Sequence, residues 1–119
     1  MRTFTPHRAR VAEATVEGYR IIKAGSGAMS CVKASAATDK LLGTSDELDH
    51  ATGEMVDVGV IPVAPVRLGG TVAAGDLLTS DANGKAIATT TTGNAYIGRA
   101  EIAGVADDII TYVRSLGVL

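Results

Sequence analysis

Residues Val66 to Ala88 read VRLGGTVAAGDLLTSDANGKAIA, and this stretch decides the fold. Gly69-Gly70 permits a reversal, Val72 to Gly75 lead into a turn at Asp76, and Leu77 and Leu78 enter a strand. Asp81 to Lys85 then turn the chain again before Ala86 to Ala88. Asn83-Gly84 is the strongest hairpin signal in the chain, because both residues tolerate positive φ and match the twist of flanking strands. Short β-forming runs separated by such turns predict an all-β fold: a small β-barrel or β-sandwich of short antiparallel strands.

The same texture extends outward. Upstream, Tyr19 to Ala24 (YRIIKA) and Ala28 to Ala34 (AMSCVKA) flank Gly25-Ser26-Gly27 and read as a second hairpin. Glu54 to Leu68 (EMVDVGVIPVAPVRL) is β-rich but holds Pro62 and Pro65, which cannot donate to a ladder. It is expected at a sheet edge, at a bend, or crossing between sheets. Downstream, strands are expected around Leu77 to Thr79, Ala86 to Thr90, Ala95 to Ile102 and Ile109 to Arg114. Thr44-Ser45-Asp46-Glu47 has capping-box spacing, so at most a short helical turn is allowed there. An echo at an offset of 55 residues pairs Leu42-Gly43 with Ile97-Gly98, Ala51 with Ala106 and Val58 with Val113. The abundance of Gly, Ala and Val explains it almost as well as duplication does.

Residues 1–16 (MRTFTPHRARVAEATV) show neither helical nor alternating period and are read as an extended N-terminal arm, leaving 17–119 as a single β domain. The first 23 residues carry Arg2, Arg8, Arg10, Arg20 and Lys23 against Glu13 and Glu17, whereas Asp39 to Asp57 hold six acids against Lys40 alone. Blocks of opposite charge suit head-to-tail or neighbour contacts.

A chain of 119 residues fits one domain and buries roughly two thirds of the surface it exposes when unfolded. Because only 3% of it is aromatic, the core must be built from Ala, Val, Ile and Leu, and no stacking platform for single-stranded bases is available. The net charge of −2 leaves no basic excess for phosphates, so nucleic acid is not an expected partner. Val58 to Leu68 is about half the ~20 residues a membrane span needs and contains two prolines and an arginine. No secretory signal follows the N-terminal arginines, which points to synthesis in a cytoplasm.

Chemistry is scarce. Cys31 is the lone cysteine, so no disulfide framework exists, and with His7 and His50 it makes a scattered set of ligands rather than a metal site. Asp107-Asp108 and Asp46-Glu47 are adjacent acids, which a strand points to opposite faces and a turn leaves solvated. Neither Gly25-Ser26-Gly27 nor Gly69-Gly70-Thr71 has the spacing of a phosphate loop. No catalytic residue, cofactor site or metal site is predicted.

The Val66 to Ala88 run, in the form GGTVxxGDxLTSDxxGKA, resembles the capsid cement, or head decoration, proteins of tailed bacteriophages. The similarity extends through Thr15 to Lys23, Ala36 to Asp46, Gly53 to Val60, Ile97 to Ala100 and Asp107 to Val113. It implies a compact β-barrel or sandwich, commonly trimeric, that binds the major capsid protein on the capsid exterior of a virion made in the bacterial host cytoplasm. It also implies stabilisation of the shell without catalysis. Composition assigns contact roles in the arm to Arg2, Phe4, Arg8, Arg10 and Val11, with strand addition on a neighbour as the mode. Two other readings compete. One is a small ligand- or carbohydrate-binding β-domain, which four scattered aromatic rings disfavour. The other is a lipoyl-type carrier, for which Lys85 after Asn83-Gly84 would have to be displayed on its hairpin.

Overall fold

The structure is a computed structural model describing residues 7–59 and 62–119. Among these there is no helix. Ten strands run in chain order: β1 (His7–Ala12), β2 (Ile21–Ala24), β3 (Ser30–Lys33), β4 (Leu41–Thr44), β5 (Met55–Gly59), β6 (Val63–Arg67), β7 (Leu77–Ser80), β8 (Ala86–Ala88), β9 (Ala95–Ala100) and β10 (Ile109–Val118). The first five close into a barrel in the order β1-β3-β2-β4-β5, and the last five form a sheet in the order β6-β10-β9-β7-β8. The all-β expectation holds, and the proline-bearing segment does cross from one sheet to the other.

The two sheets are one architecture used twice. Val11 faces Met55 as Arg67 faces Ile109, and Ile22 faces Gly43 as Leu78 faces Gly98. Thr44 faces Gly59 as Arg99 faces Val113. The parallel pairing of Ala12 with Cys31, which closes the first barrel, returns as a single parallel bridge between Leu68 and Ala86. The backbone is thus duplicated, and the sequence echo coincides with it at Leu42-Gly43 and Ile97-Gly98 but runs one residue out of register at Val58, whose structural counterpart is Tyr112 rather than Val113.

What repeats is a way of entering a strand. At Val16, His50, Val72 and Gly104 the chain makes one bridge, turns, and enters a strand five residues later. The third residue after each bridge, namely Tyr19, Gly53, Gly75 and Asp107, has positive φ. These bridges pair within a repeat: Val16 and His50 exchange N–H···O bonds of 2.9 and 2.8 Å, and Val72 and Gly104 exchange bonds of 2.9 and 3.1 Å. The turns interlock reciprocally as well. Gly53 N donates to Ala12 O and Tyr19 N to Asp46 O, as Asp107 N donates to Leu68 O and Gly75 N to Ala100 O. In three turns a carboxylate accepts from an amide three residues earlier: Glu54 from Ala51, Asp76 from Ala73 and Asp108 from Val105. In the fourth, the Ser45 hydroxyl bridges Arg20 N and Glu17 O.

Two local expectations change. The run read as an arm is strand from His7 to Ala12, paired with both β5 and β3, and Ala12 and Val16 are buried. Its alternation was masked because Arg10 takes a position equivalent to buried Val66 and turns inward. Thr44 caps no helix: it ends β4, fully buried, paired with Ile21 and Gly59. The Asn83-Gly84 hairpin forms, but with Gly84 alone at positive φ. Asp81 O accepts from Gly84 N, and Asp81 N donates to Lys85 O, a turn closed by a glycine bulge.

The seam between repeats is largely dry. The larger core cluster joins Ile21, Ala34 and Leu41 to Val66, Leu78, Ile97 and Tyr112. Tyr112 is the only fully buried aromatic among the described residues, and its hydroxyl lies 3.3 Å from the Thr44 hydroxyl of the first repeat. Backbone bonds stitch the same seam: Arg67 N to Tyr19 O, Ile21 N to Gly84 O, and Ala95 N to Ala37 O. Burial pushes the Tyr112 phenol up, so it stays neutral and available as a donor.

Gly53 and Gly75 share φ +89, and a Cβ at either would meet nothing within 4 Å. Gly53→Ala and Gly75→Ala are expected to lose about 1–2 kcal/mol each from backbone strain alone, and urea melts should give matching losses in the two repeats. Removing the Tyr112 hydroxyl (Tyr112→Phe) should cost about 1 kcal/mol, and removing the ring (Tyr112→Ala) about 3–5 kcal/mol. Because that ring belongs to a shared core, calorimetry should show one transition for both repeats in every case, with equal calorimetric and van't Hoff enthalpies.

Candidate functional site

With the barrel interiors filled by side chains, the surface is where function must be sought. On β1 and β5 the outward positions are Ala9, Val11, Met55 and Asp57, with Val11 directly opposite Met55. Beside them stands Met29, whose amide neighbourhood is tied in by Val11 N donating to Met29 O. Met29 is 54% exposed at φ +54, an unusual backbone state for a long side chain. Val11, Met29 and Met55 thus form an exposed apolar group on the first repeat. The equivalent face of the second repeat, on β6 and β10, carries Val63 opposite Val113 and Pro65 opposite Thr111, with exposed Ile109 next along β10. Arg67 flanks this face opposite Ile109, and Arg99 flanks it opposite Val113.

Pro65 sits on this edge for a physical reason. Leu68 N donates to Asp108 O and Arg114 N to Pro62 O, which fixes the alternation so that position 65 has its nitrogen on the side away from β10. Proline there sacrifices no ladder bond.

The contact residues expected from sequence are separated by the structure. Arg2 and Phe4 lie outside the described residues. Arg8 belongs to β1 opposite Val58. Arg10 is half-buried and donates from Nη1 to Ser30 O at 3.0 Å, so its charge serves the barrel rather than a free surface. Val11 faces outward. Sequence reasoning missed Met29, Met55, Val63, Ile109 and Val113. A signal existed in Met55, Ile109 and Val113, apolar residues at the positions that alternation with Val56, Val58, Ile110 and Tyr112 turns outward, since a strand with one wet face should be polar there.

The opposed charge blocks are mostly spent internally. Arg20 Nη1 lies 3.2 Å from Glu17 Oε2 and donates to Asn83 O at 2.9 Å, Lys33 bonds Glu17 at 3.0 Å, and Lys23 lies 3.1 Å from Asp39. Asp46 organises the β4–β5 loop: it accepts from Leu48 N and Asp57 N, and His50 Nε2 lies 2.8 Å from its Oδ1. Burial alone would raise the Asp46 carboxyl, but the imidazole and the two amides outweigh it and hold the group below its ordinary value. Glu47, Leu48 and Asp49 project from that loop, Leu48 being 60% exposed.

Among the described side chains, the chemically suggestive Cys31 and Lys85 are both occupied. Cys31 is fully buried in β3, and burial pushes its thiol up, so it is a packed, protonated side chain. Lys85 is not displayed: its Nζ lies 2.7 Å from Asp107 Oδ1, and this bond lowers the Asp107 carboxyl. The carrier reading loses its lysine. Among the described residues no three His, Cys, Asp or Glu side chains gather to hold a metal ion, and no helix is long and apolar enough to cross a membrane. The grooves are open, one of about 420 Å³ beside Leu41, Tyr96, Leu116 and Val118 and one of about 220 Å³ beside Arg20, Glu47 and Arg67.

The sequence that folds into this barrel and its companion sheet matches, over residues 7–114, the family described as phage cement protein. The chain belongs to the phage cement protein family. The head fiber gp8.5 N base of bacteriophage phi29 has a similar fold, with a TM-score of 0.71 at 22% identity, over 95% of this chain and 96% of that one. No curated protein matches the sequence. This protein is accordingly a phage capsid-associated structural protein.

The Glu13 carboxylate closes the β2–β3 turn, accepting from Ser26 N at 3.0 Å, Gly27 N at 2.8 Å and the Ser30 hydroxyl at 2.8 Å. These donors hold its pKa at about 2, below the ordinary 4.5. A depressed carboxyl stabilises the fold fully above its unfolded pKa and loses that effect as pH falls through its folded one. Glu13→Gln should therefore melt below wild type by a constant margin above about pH 5. The margin should close between the ordinary value of 4.5 and about 2, and thermal melts across that window check it.

Proposed function

We propose that the protein binds the outer surface of the phage capsid shell and stabilises contacts between major capsid protein subunits, without catalysis. Membership of the cement family carries this reading. The geometry supports it: the first repeat offers an exposed apolar face around Val11, Met29 and Met55. Exposed apolar patches rimmed by polar residues mark protein contact sites. Several such faces carried on one oligomer can bridge neighbouring shell subunits, and linked weak contacts gain roughly 10² to 10⁴ in avidity where they engage together.

In this reading the protein acts as a homo-oligomer, a trimer, on the virion exterior after synthesis in the bacterial host cytoplasm. Arg2, Phe4, Arg8 and Val11 are retained as contact residues toward the shell. Arg10, bonded within its own barrel, is not. Shell binding should also stabilise the chain itself by mass action, because a partner that binds only the folded state raises its apparent stability.

Adding purified protein to undecorated shells tests the reading by calorimetry. The shell melting temperature should rise to a plateau as sites fill, and Met55→Glu should weaken the effect without altering the melting of the free protein. Shells that neither bind the protein nor shift their melting temperature would overturn it.

A further inference from the structure

The duplication supplies a control that a single barrel would lack. Inward positions correspond closely between repeats, as in Val56 and Ile110, Val58 and Tyr112, or Ile22 and Leu78, all buried. Outward positions match less well: Met55 and Ile109 are both exposed and apolar, but Gly59 corresponds to Val113, Asp57 to Thr111 and Ala9 to Pro65. The fold is thus built in the first repeat without a side chain at the position of Val113, and that exposed valine answers to something other than folding.

The corresponding loops diverge in the opposite sense. Glu47-Leu48-Asp49 before His50 corresponds to Glu101-Ile102-Ala103 before Gly104, so the first repeat alone flanks its exposed aliphatic with two carboxylates. That loop is preformed, because Asp46 holds Leu48 N at 2.9 Å and Asp49 Oδ1 holds Gly18 N at 2.8 Å. The face of the second repeat is flanked by cations whose direction is likewise set. Arg67 Nη1 donates to Asp107 O at 3.1 Å and Arg99 Nη1 to Gly75 O at 2.9 Å, which leaves further N–H donors of each guanidinium for a carboxylate. The acid on this face, Glu101, accepts the Thr111 hydroxyl at 2.6 Å.

We propose that the β6–β10 face of one copy receives the Glu47-Leu48-Asp49 loop of a second copy, Leu48 covering Val63, Ile109 and Val113 while the loop's carboxylates meet Arg99. One chain carries both halves of the match, so the occupant is the chain itself. The contact joins two different surfaces and is heterologous, the kind that closes into a ring when its rotation permits. It rests on the reading above that the protein works as a homo-oligomer, and it identifies the surfaces used.

Light scattering on the free protein tests the contact with a charge swap. Wild type should have the mass of more than one chain, Arg99→Glu and Glu47→Arg should each fall to the mass of one chain, and the double variant should recover the wild-type mass. Val113→Glu, at an exposed position, should also give single chains with an unchanged far-ultraviolet dichroism spectrum. A wild type that runs as one chain overturns the proposal, as does a mass indifferent to Arg99→Glu and Val113→Glu, or a double variant that stays dissociated. Shell binding measured on the same samples separates this outcome from the capsid reading: a single-chain protein that still binds shells removes the self-contact and leaves capsid attachment standing.

Discussion

In each repeat, one reciprocal pair of backbone hydrogen bonds, Val16 with His50 and Val72 with Gly104, holds together the two loops that deliver the chain into its strands. A five-stranded barrel has a narrow interior, and its strands here are mostly three to six residues long. Such strands bury little each and cannot register themselves by side-chain packing alone. The crossing loops impose the register instead, since each turn also donates an amide to the residue preceding the other loop by four positions. The price is one residue per turn in the left-handed region, met by glycine at positions 53 and 75 and by Tyr19 and Asp107 elsewhere.

That constraint explains how a chain with so few aromatic rings forms a stable core. With register fixed by backbone, interior positions need only be small and apolar, and Ala, Val, Ile and Leu fill most of the two clusters. Tyr112, the one large ring fully buried among the described residues, lies where the two sheets meet, and its hydroxyl is matched to that of Thr44 so that neither is orphaned there. The repeats differ in closure for the same reason. Where Met29, just before β3, supplies its carbonyl to Val11 N in the barrel, the second sheet takes the Tyr19 carbonyl for Arg67 N, so the first repeat completes the edge of the second. The two are one folding unit because each contributes backbone partners to the other.

Much of the strand pattern was readable in the sequence because glycine and Asn-Gly punctuation is local chemistry. The hairpins around Gly25 to Gly27 and Asn83-Gly84 required no tertiary knowledge, and Pro62 and Pro65 narrowed their segment to an edge, a bend or a crossing, of which the structure shows edge strand and crossing together. β1 was not readable: HRARVA offers an arginine where an inward apolar residue belongs, and its partners are β5 and β3, far along the chain. The duplication was blurred for a different reason. Of its bridge positions Val16 and Val72 match but His50 is replaced by Gly104, and the offset between repeats changes by a residue across the loops. Thr44 illustrates the limit of motif reading, since its capping-box spacing lost to the burial that strand pairing with Ile21 and Gly59 provides.

The candidate site was less legible than the fold because nothing in a barrel's physics dictates its outer face. Charge counts in particular misled, as Arg10, Arg20 and Lys23 in the basic block and Asp39 and Asp46 in the acidic block are consumed by neighbours in the folded chain. What remains outward is decided by comparison within the molecule. Two repeats with the same turns, the same register and matched cores have been free to differ only where packing does not hold them. There they have separated, one toward exposed carboxylates around Leu48 and the other toward branched aliphatics between Arg67 and Arg99. A duplicated scaffold that keeps its interior and divides its exterior into complementary halves has the form of a part made to fit against others.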